Sequence, residues 1–190
     1  MKKTKLENIA KISIGALINR YTRRYEGTKE NKEVLYHKRE KTYTATEKIA
    51  KDINDKYLAQ KDDIIFRLSE PQFATKIDNQ NIKEGTVISS KFARIKPDKE
   101  KVNPDFLTEL LNSKIIKNQF LKYSEGSKIK QIKIRDIAKI DLNIPPLELQ
   151  EKYVESINLI NQELTLYDKL INEKKDLKEG ILQKSQGGEQ

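Results

Sequence analysis

Residues 140–150 read IDLNIPPLELQ and join two stretches whose apolar residues recur with different periods. In IDLNI, apolar and polar residues alternate, which predicts a short strand. Pro145 and Pro146 then predict the end of a domain, and a helical period begins after them. We therefore predict a domain at 1–146, a long helix at 147–184 and a flexible tail at 185–190.

The predicted long helix carries one apolar seam. Its members are spaced four or three residues apart, the a/d pattern of a helix that packs against another helix. A helix of 38 residues is about 57 Å long at ~1.5 Å per residue, too long to fold back wholly over a domain of about 145 residues. A second copy of the chain is the simplest partner, and packing on its own domain is the alternative. The seam consists of Leu149, Tyr153, Ile157, Ile160, Leu164, Tyr167 and Ile171.

The domain before the prolines is predicted to mix strands and helices, in the α+β class. Residues 64–68, 73–77 and 86–95 are rich in apolar and β-branched residues between turn signals, which predicts strands. Asn103, Pro104 and Asp105 predict the start of a helix, with apolar residues on one face up to Gly126.

The sequence between these elements and the N-terminus is less regular. Residues 6–15 predict a short element that ends at Gly15. Residues 16–45 lose apolar periodicity and predict a long loop or an irregular hairpin. Residues 46–57 predict a short helix, because Ile49, Ile53 and Tyr57 recur every four residues.

Composition excludes several classes of site. The chain has no Cys and a single His, His37, so thiolate zinc sites, multi-histidine sites and cysteine nucleophiles are excluded. No Gly-x-Gly occurs, which excludes a dinucleotide fingerprint. The longest apolar run is far short of the ~20 residues that span a bilayer. We expect a soluble, cytoplasmic protein with no membrane contact and no cofactor in this chain.

Positive charge is concentrated at the front of the chain. The net charge is +9, and residues 1–41 hold 12 basic against 5 acidic groups. Lysine and isoleucine abundance indicate a coding bias, so the scarce arginines are more informative. Four of the seven Arg and four of the eight Tyr lie within residues 20–43. The electrostatic field of such a positively charged segment attracts polyanions.

The order of these pieces resembles the DNA specificity subunit of type I restriction-modification systems. The strand that runs into Pro-Pro-Leu-x-x-Gln and a long helix is the most specific part, and the resemblance spans nearly the whole chain. The other matching segments are residues 6–15, 62–66 (DDIIF), 84–92 (EGTVISSKF), 104–107 (PDFL) and 125–127 (EGS).

The resemblance implies a non-catalytic, sequence-specific DNA-recognition subunit. Such subunits usually hold two target recognition domains, whose long helices pair as an antiparallel coiled coil. This chain has one such unit, which implies a homodimer and a symmetric, bipartite target in double-stranded DNA. Partners would be modification (methyltransferase) subunits, which would bind S-adenosylmethionine, and restriction subunits.

We predict DNA contacts in the segment rich in arginine and tyrosine, because arginine can bridge guanine O6 and N7 and lysine can anchor phosphates. Arg20, Arg23 and Arg24 are expected on bases. Lys128 and Lys130 are predicted phosphate contacts. The remaining candidates are Tyr21, Tyr25, His37, Lys38, Arg39, Lys41 and Tyr43.

Two other functions are compatible with the sequence. One is an adaptor or antagonist that occupies modification subunits without reading DNA. The other is a small nuclease, which Glu-x-Lys triplets at residues 30–32 and 173–175 imitate; such triplets arise by chance in a chain that is 35% charged.

Overall fold

The structure is a computed structural model, and the chain forms two units, Met1–Gln150 and Glu151–Gln190. The predicted α+β class is confirmed: the first unit is a mixed α/β domain and a long helix follows it. The residues that the structure describes are 2–38, 41–70, 72–78, 81–124 and 131–187.

The described strands form three sheets. The strands are β1 (Lys2–Lys5), β2 (Ala10–Ile14), β3 (Lys29–Lys38), β4 (Lys41–Ala50), β5 (Ile64–Arg67), β6 (Ala74–Lys76), β7 (Val87–Ile88), β8 (Phe92–Pro97) and β9 (Asp141–Ile144). The sheet orders are β1-β9, β2-β8-β5-β6 and β4-β3-β7. Strands β3 and β7 are parallel, and the other pairs are antiparallel. The strands predicted at 64–68, 73–77 and 140–144 are therefore confirmed as β5, β6 and β9.

The helices are α1 (Ile18–Thr22), α2 (Pro104–Asn112), α3 (Lys114–Ser124), α4 (Ile134–Ala138) and α5 (Leu147–Gly187). The predicted start of α2 is confirmed, because the Asn103 side chain accepts hydrogen bonds from the backbone N–H groups of Asp105 and Phe106. The single helix predicted up to Gly126 is wrong. Ser113 has an extended ψ of 153°, which divides the stretch into α2 and α3.

Residues 41–50 form a strand, so the helix predicted at 46–57 is wrong. Thr42, Tyr43, Thr44 and Thr46 favour a pleated strand, and β4 pairs with β3 over ten residues. Only Asp55–Tyr57 forms a single 3₁₀ turn. The hairpin predicted as one alternative for 16–45 is thus present, but it is regular, begins only at Lys29 and extends to Ala50.

The hairpin is anchored in the core by both of its faces. Val34 lies in a buried cluster with Ala16, Ile49, Ile53 and Val87, which we call the hairpin cluster. Its neighbour Leu35 points to the other face and packs with Ile65, Ile88 and Phe92. Successive strand residues alternate between faces, so the hairpin separates two parts of the core.

Helix α5 begins directly after the two prolines. Its residue Gln150 is fully buried in the first unit, and residues 151–186 are half-buried or exposed. In the predicted tail, residues 185–187 are helical and 188–190 lie outside the described residues. In the described part of the chain, no helix has the length and apolarity that crossing a membrane requires.

Candidate nucleic-acid interface

A close backbone approach at Gly15 positions the start of the basic segment. The Gly15 N–H donates to the Phe92 carbonyl at 3.0 Å, and the Ala16 N–H donates to the Ile88 carbonyl at 2.7 Å. A Cβ atom on residue 15 would lie 2.2 Å from the Ser89 carbonyl oxygen, so only glycine permits this approach. The chain therefore enters α1 from a tightly held backbone.

Helix α1 divides its side chains between the core and solvent. Ile18 and Tyr21, one turn apart, pack against the hairpin cluster, and the Tyr21 ring lies 5.9 Å from that of Tyr57. Burial is the main cause that raises the pKa of Tyr21. The predicted base contacts Arg20, Arg23 and Arg24 are exposed. Tyr21 thus acts as the anchor that presents the arginines.

Tyr25 is held by a hydrogen bond to the other end of the hairpin. Its hydroxyl donates to the carboxylate of Asp52, and this bond raises the pKa of Tyr25. The Lys51 N–H donates to the Thr28 carbonyl at 2.9 Å nearby. The phenol of Tyr25 closes the loop between α1 and β3.

The face of the hairpin that carries Val34 also carries a tyrosine pair and a lysine pair further along the strands. Tyr36 lies opposite Tyr43 with ring centroids 5.8 Å apart, and Lys38 lies opposite Lys41. Burial, then the Glu47 carboxylate, raises the pKa of Tyr36 to about 12, so this phenol stays neutral. Like charges directly opposite each other are destabilising, and an anion between the two lysines would relieve this.

His37 points to the opposite face of the hairpin, the face that carries Leu35. Its Nε2 atom lies 3.1 Å from Ser69 Oγ, and its ring meets Phe92 edge-on at 5.5 Å. Its Nδ1 atom is buried and makes no hydrogen bond within the described residues. Burial, then the charges of Arg67 and Lys91, lowers the pKa of His37. A neutral imidazole thus holds the hairpin tip on the domain.

The structure brings helix α1 and the outer half of the hairpin to one side of the first unit. Ile18, Tyr21 and Tyr36 all pack against the hairpin cluster, so α1 and this part of the hairpin are neighbours. From Asn8 to Tyr25 the chain has four basic residues and no acidic one. We call the resulting surface the cationic face, and it comprises Arg20, Arg23, Arg24, Tyr36, Lys38, Lys41 and Tyr43.

Of the predicted DNA contacts, Arg39, Lys128 and Lys130 lie outside the described residues. The sequence reasoning passed over Leu17, which is 65% exposed at the start of α1. The absence of acidic residues around it was the available signal.

The first unit also has a groove of about 1290 Å³, which the sequence did not predict. Its basic residues include Lys3 and Lys101, which pair with Asp141 at 3.7 Å and Asp98 at 2.8 Å. These ion pairs partly neutralise the positive charge of the groove. Among the described residues, no group of three or more His, Cys, Asp or Glu side chains could hold a metal ion.

The architecture defines a class: a mixed α/β domain with a cationic face, followed by one long helix with exposed apolar residues. The family model for the type I restriction modification DNA specificity domain matches residues 1–176. The chain belongs to this family, as its resemblance predicted. A search of curated proteins found no match.

Solved structures share this fold. The HsdS subunit from Thermoanaerobacter tengcongensis has a TM-score of 0.67 and 16% identity, and the alignment covers 96% of this chain and 47% of that one. A chain from a structural study of complex assembly and conformational transition of the type I R-M system has a TM-score of 0.64, 16% identity and coverage of 96% and 45%. The present chain spans about half the length of these chains.

Proposed function

We propose that this chain is the sequence-specific DNA-recognition subunit of a type I restriction-modification complex. The family match over residues 1–176 carries this proposal, and the cationic face supplies a surface suited to DNA. The chain itself is non-catalytic, and methylation and cleavage belong to partner subunits. The protein acts in the cytoplasm and binds double-stranded DNA there.

The cationic face contacts DNA through two kinds of group. Arginine can read guanine by two parallel hydrogen bonds, each such pair discriminating by about 1–3 kcal/mol. The opposed Lys38 and Lys41 suit a phosphate, which would neutralise their repulsion. Tyr21, Tyr25 and His37 support this face through their contacts with Tyr57, Asp52 and Ser69.

Helix α5 pairs with the same helix of a second copy. Of the seam, Leu149, Tyr153, Ile160, Leu164, Tyr167 and Ile171 are exposed and Ile157 is half-buried. Residues 147–165 hold four acidic and one basic group, whereas residues 166–187 hold four acidic and five basic groups. An antiparallel pair places the acidic half of one helix against the basic half of the other, whereas a parallel pair would oppose the acidic halves.

A second line of apolar residues on α5 supports docking of modification subunits. Leu159, Leu166, Leu170 and Leu177 are exposed and lie about a third of a turn from the seam at ~3.6 residues per turn. A two-stranded pair would cover the seam and leave this line open to other subunits. Those modification subunits would bind S-adenosylmethionine, and restriction subunits would join the same complex.

Selection from a randomised duplex library by the purified full chain tests DNA recognition. We expect a split palindromic motif, because two equivalent domains related by a twofold axis read two inverted half-sites. Half-sites about one helical turn apart, near 34–36 Å, are expected. Weak, strongly salt-dependent binding without enrichment would contradict the proposal and favour the adaptor. A non-palindromic motif would contradict the homodimer and require a second, different recognition domain.

A further inference from the structure

Leu17 is an exposed apolar residue at the entrance to the cationic face. Its side chain is 65% exposed, and it lies between the close backbone approach at Gly15 and helix α1. The Arg20 N–H donates to the Leu17 carbonyl at 2.9 Å, so Leu17 lies one helical turn before Arg20.

The backbone on both sides of Leu17 is held firmly. The Ala16 N–H donates to the Ile88 carbonyl at 2.7 Å, and the Ala16 carbonyl accepts from the Ser90 N–H at 2.8 Å. On the other side, Ile18 packs against the hairpin cluster. The backbone contacts on both sides of Leu17 therefore fix the position from which its side chain extends into solvent.

Single exposed leucines are common on protein surfaces and by themselves indicate nothing. Leu17 differs because it is the most exposed large apolar residue of a segment that carries only positive charge: residues 8–25 contain Lys11, Arg20, Arg23 and Arg24 and no acidic residue. An exposed apolar group on a basic segment complements the major groove, where phosphates flank base edges. Only thymine presents a methyl group there.

We propose that Leu17 is a specificity-determining residue that contacts the C5-methyl group of a thymine in the recognised DNA. This inference rests on the proposed function and names one base type within it. Arg20, one turn further along, then lies within reach of a neighbouring base or phosphate. The contact contributes to DNA sequence specificity because it buries one methyl group, and it requires no hydrogen bond.

A double-mutant cycle between Leu17→Ala and removal of the thymine methyl tests this contact. The probes are the duplex enriched from the randomised library and a series in which each thymine in turn is replaced by uracil. Burial of one methyl group corresponds to ~0.8 kcal/mol, so one uracil duplex should bind the unaltered chain about fourfold more weakly. The Leu17→Ala variant should bind the thymine and uracil duplexes equally.

Ile115→Ala is the matched control, because Ile115 is 70% exposed and lies on α3, outside the cationic face. This variant should retain the fourfold preference, and circular dichroism should show that both variants are folded. An unchanged preference in Leu17→Ala, or no thymine whose methyl group matters to the unaltered chain, overturns the inference. Failure of the unaltered chain to enrich any sequence overturns the proposed function, and this inference with it.

Discussion

Individual side chains between residues 20 and 43 divide into those free to meet DNA and those occupied within the domain. Arg20, Arg23 and Arg24 are exposed, whereas the Tyr25 hydroxyl bonds to Asp52 and His37 packs under the hairpin. Clustering in the sequence does not distinguish the two groups. Their distinction depends on contacts with residues elsewhere in the chain.

Replacing Arg23 and Arg24 together by alanine should weaken DNA binding and leave the free energy of unfolding unchanged. Both side chains are exposed, so their removal leaves no buried group without a partner. If both contact phosphates, the slope of log K against log salt should flatten by up to about 2, at ~0.9 per contact. Binding titrations at several salt concentrations measure this.

Arg135→Ala is the control for that pair, because Arg135 is an exposed arginine on α4 that pairs with Asp136 at 3.5 Å. It should bind DNA as the unaltered chain does. Equal affinity of the double variant at every salt concentration would place DNA recognition on another surface.

The stability of the domain should fall as the pH drops from 7.5 to 5.5, because of His37. Burial and the charges of Arg67 and Lys91 lower the pKa of His37 below 6.5 in the folded chain. The unfolded chain then takes up a proton first, so the free energy of unfolding falls as pH passes below 6.5. The free energy of unfolding stops falling below the pKa of His37 in the folded chain, because the imidazole is then protonated in both the folded and the unfolded state. Urea titrations at several pH values measure the slope.

His37→Gln is the control, because His37 is the only histidine in the chain. The variant should lose most of the pH dependence within this window, whatever its absolute stability. Equal slopes in the two proteins would show that the imidazole titrates alike in the folded and unfolded chain.

At the scale of elements, the buried side chain of Gln150 joins the first turn of α5 to the start of α2. Gln150 is 0% exposed; its Oε1 accepts from the Asn103 N–H at 2.8 Å, and its Nε2 donates to the Pro145 carbonyl at 2.8 Å. The same Nε2 donates to the Lys101 carbonyl at 3.2 Å. One amide thus joins the start of α5 to the start of α2.

Gln150→Ala should lower the free energy of unfolding by about 1–3 kcal/mol for each buried backbone group left without a partner. Urea denaturation followed by circular dichroism measures the change. Gln162→Ala, an exposed position on the same helix, should change stability by less than about 0.5 kcal/mol. Equal effects of the two variants would show that water replaces the amide.

At the scale of the whole molecule, the proposed self-association depends on the seam of α5. Ile157→Asp with Leu164→Asp should give a folded monomer that no longer binds a bipartite site, because two charges would be buried in the apolar contact. Light scattering reports the mass. The double variant Asn158→Asp with Gln162→Asp adds the same charges on the opposite side of the helix and should remain dimeric. A dimer that survives the seam substitutions would show that another surface associates.

Local signals were sufficient for several elements. The alternation in residues 140–144, the two prolines and the four-and-three spacing of the seam predicted β9 and α5, and Asn103 with Pro104 predicted the start of α2. These signals act within a few residues of chain. The hairpin strand at 41–50 was missed, because its ten pairings with β3 outweigh the helical spacing of Ile49, Ile53 and Tyr57.

The sequence by itself determined strand β9, the proline break, the start of α5 and the concentration of arginine and tyrosine between residues 20 and 43. Only the tertiary structure decided which of those side chains reach solvent and that Leu17 is exposed. The physical reason is that exposure depends on neighbours distant in the chain, such as Asp52 for Tyr25 and Phe92 for His37. The periodicity and composition of the sequence do not predict those contacts.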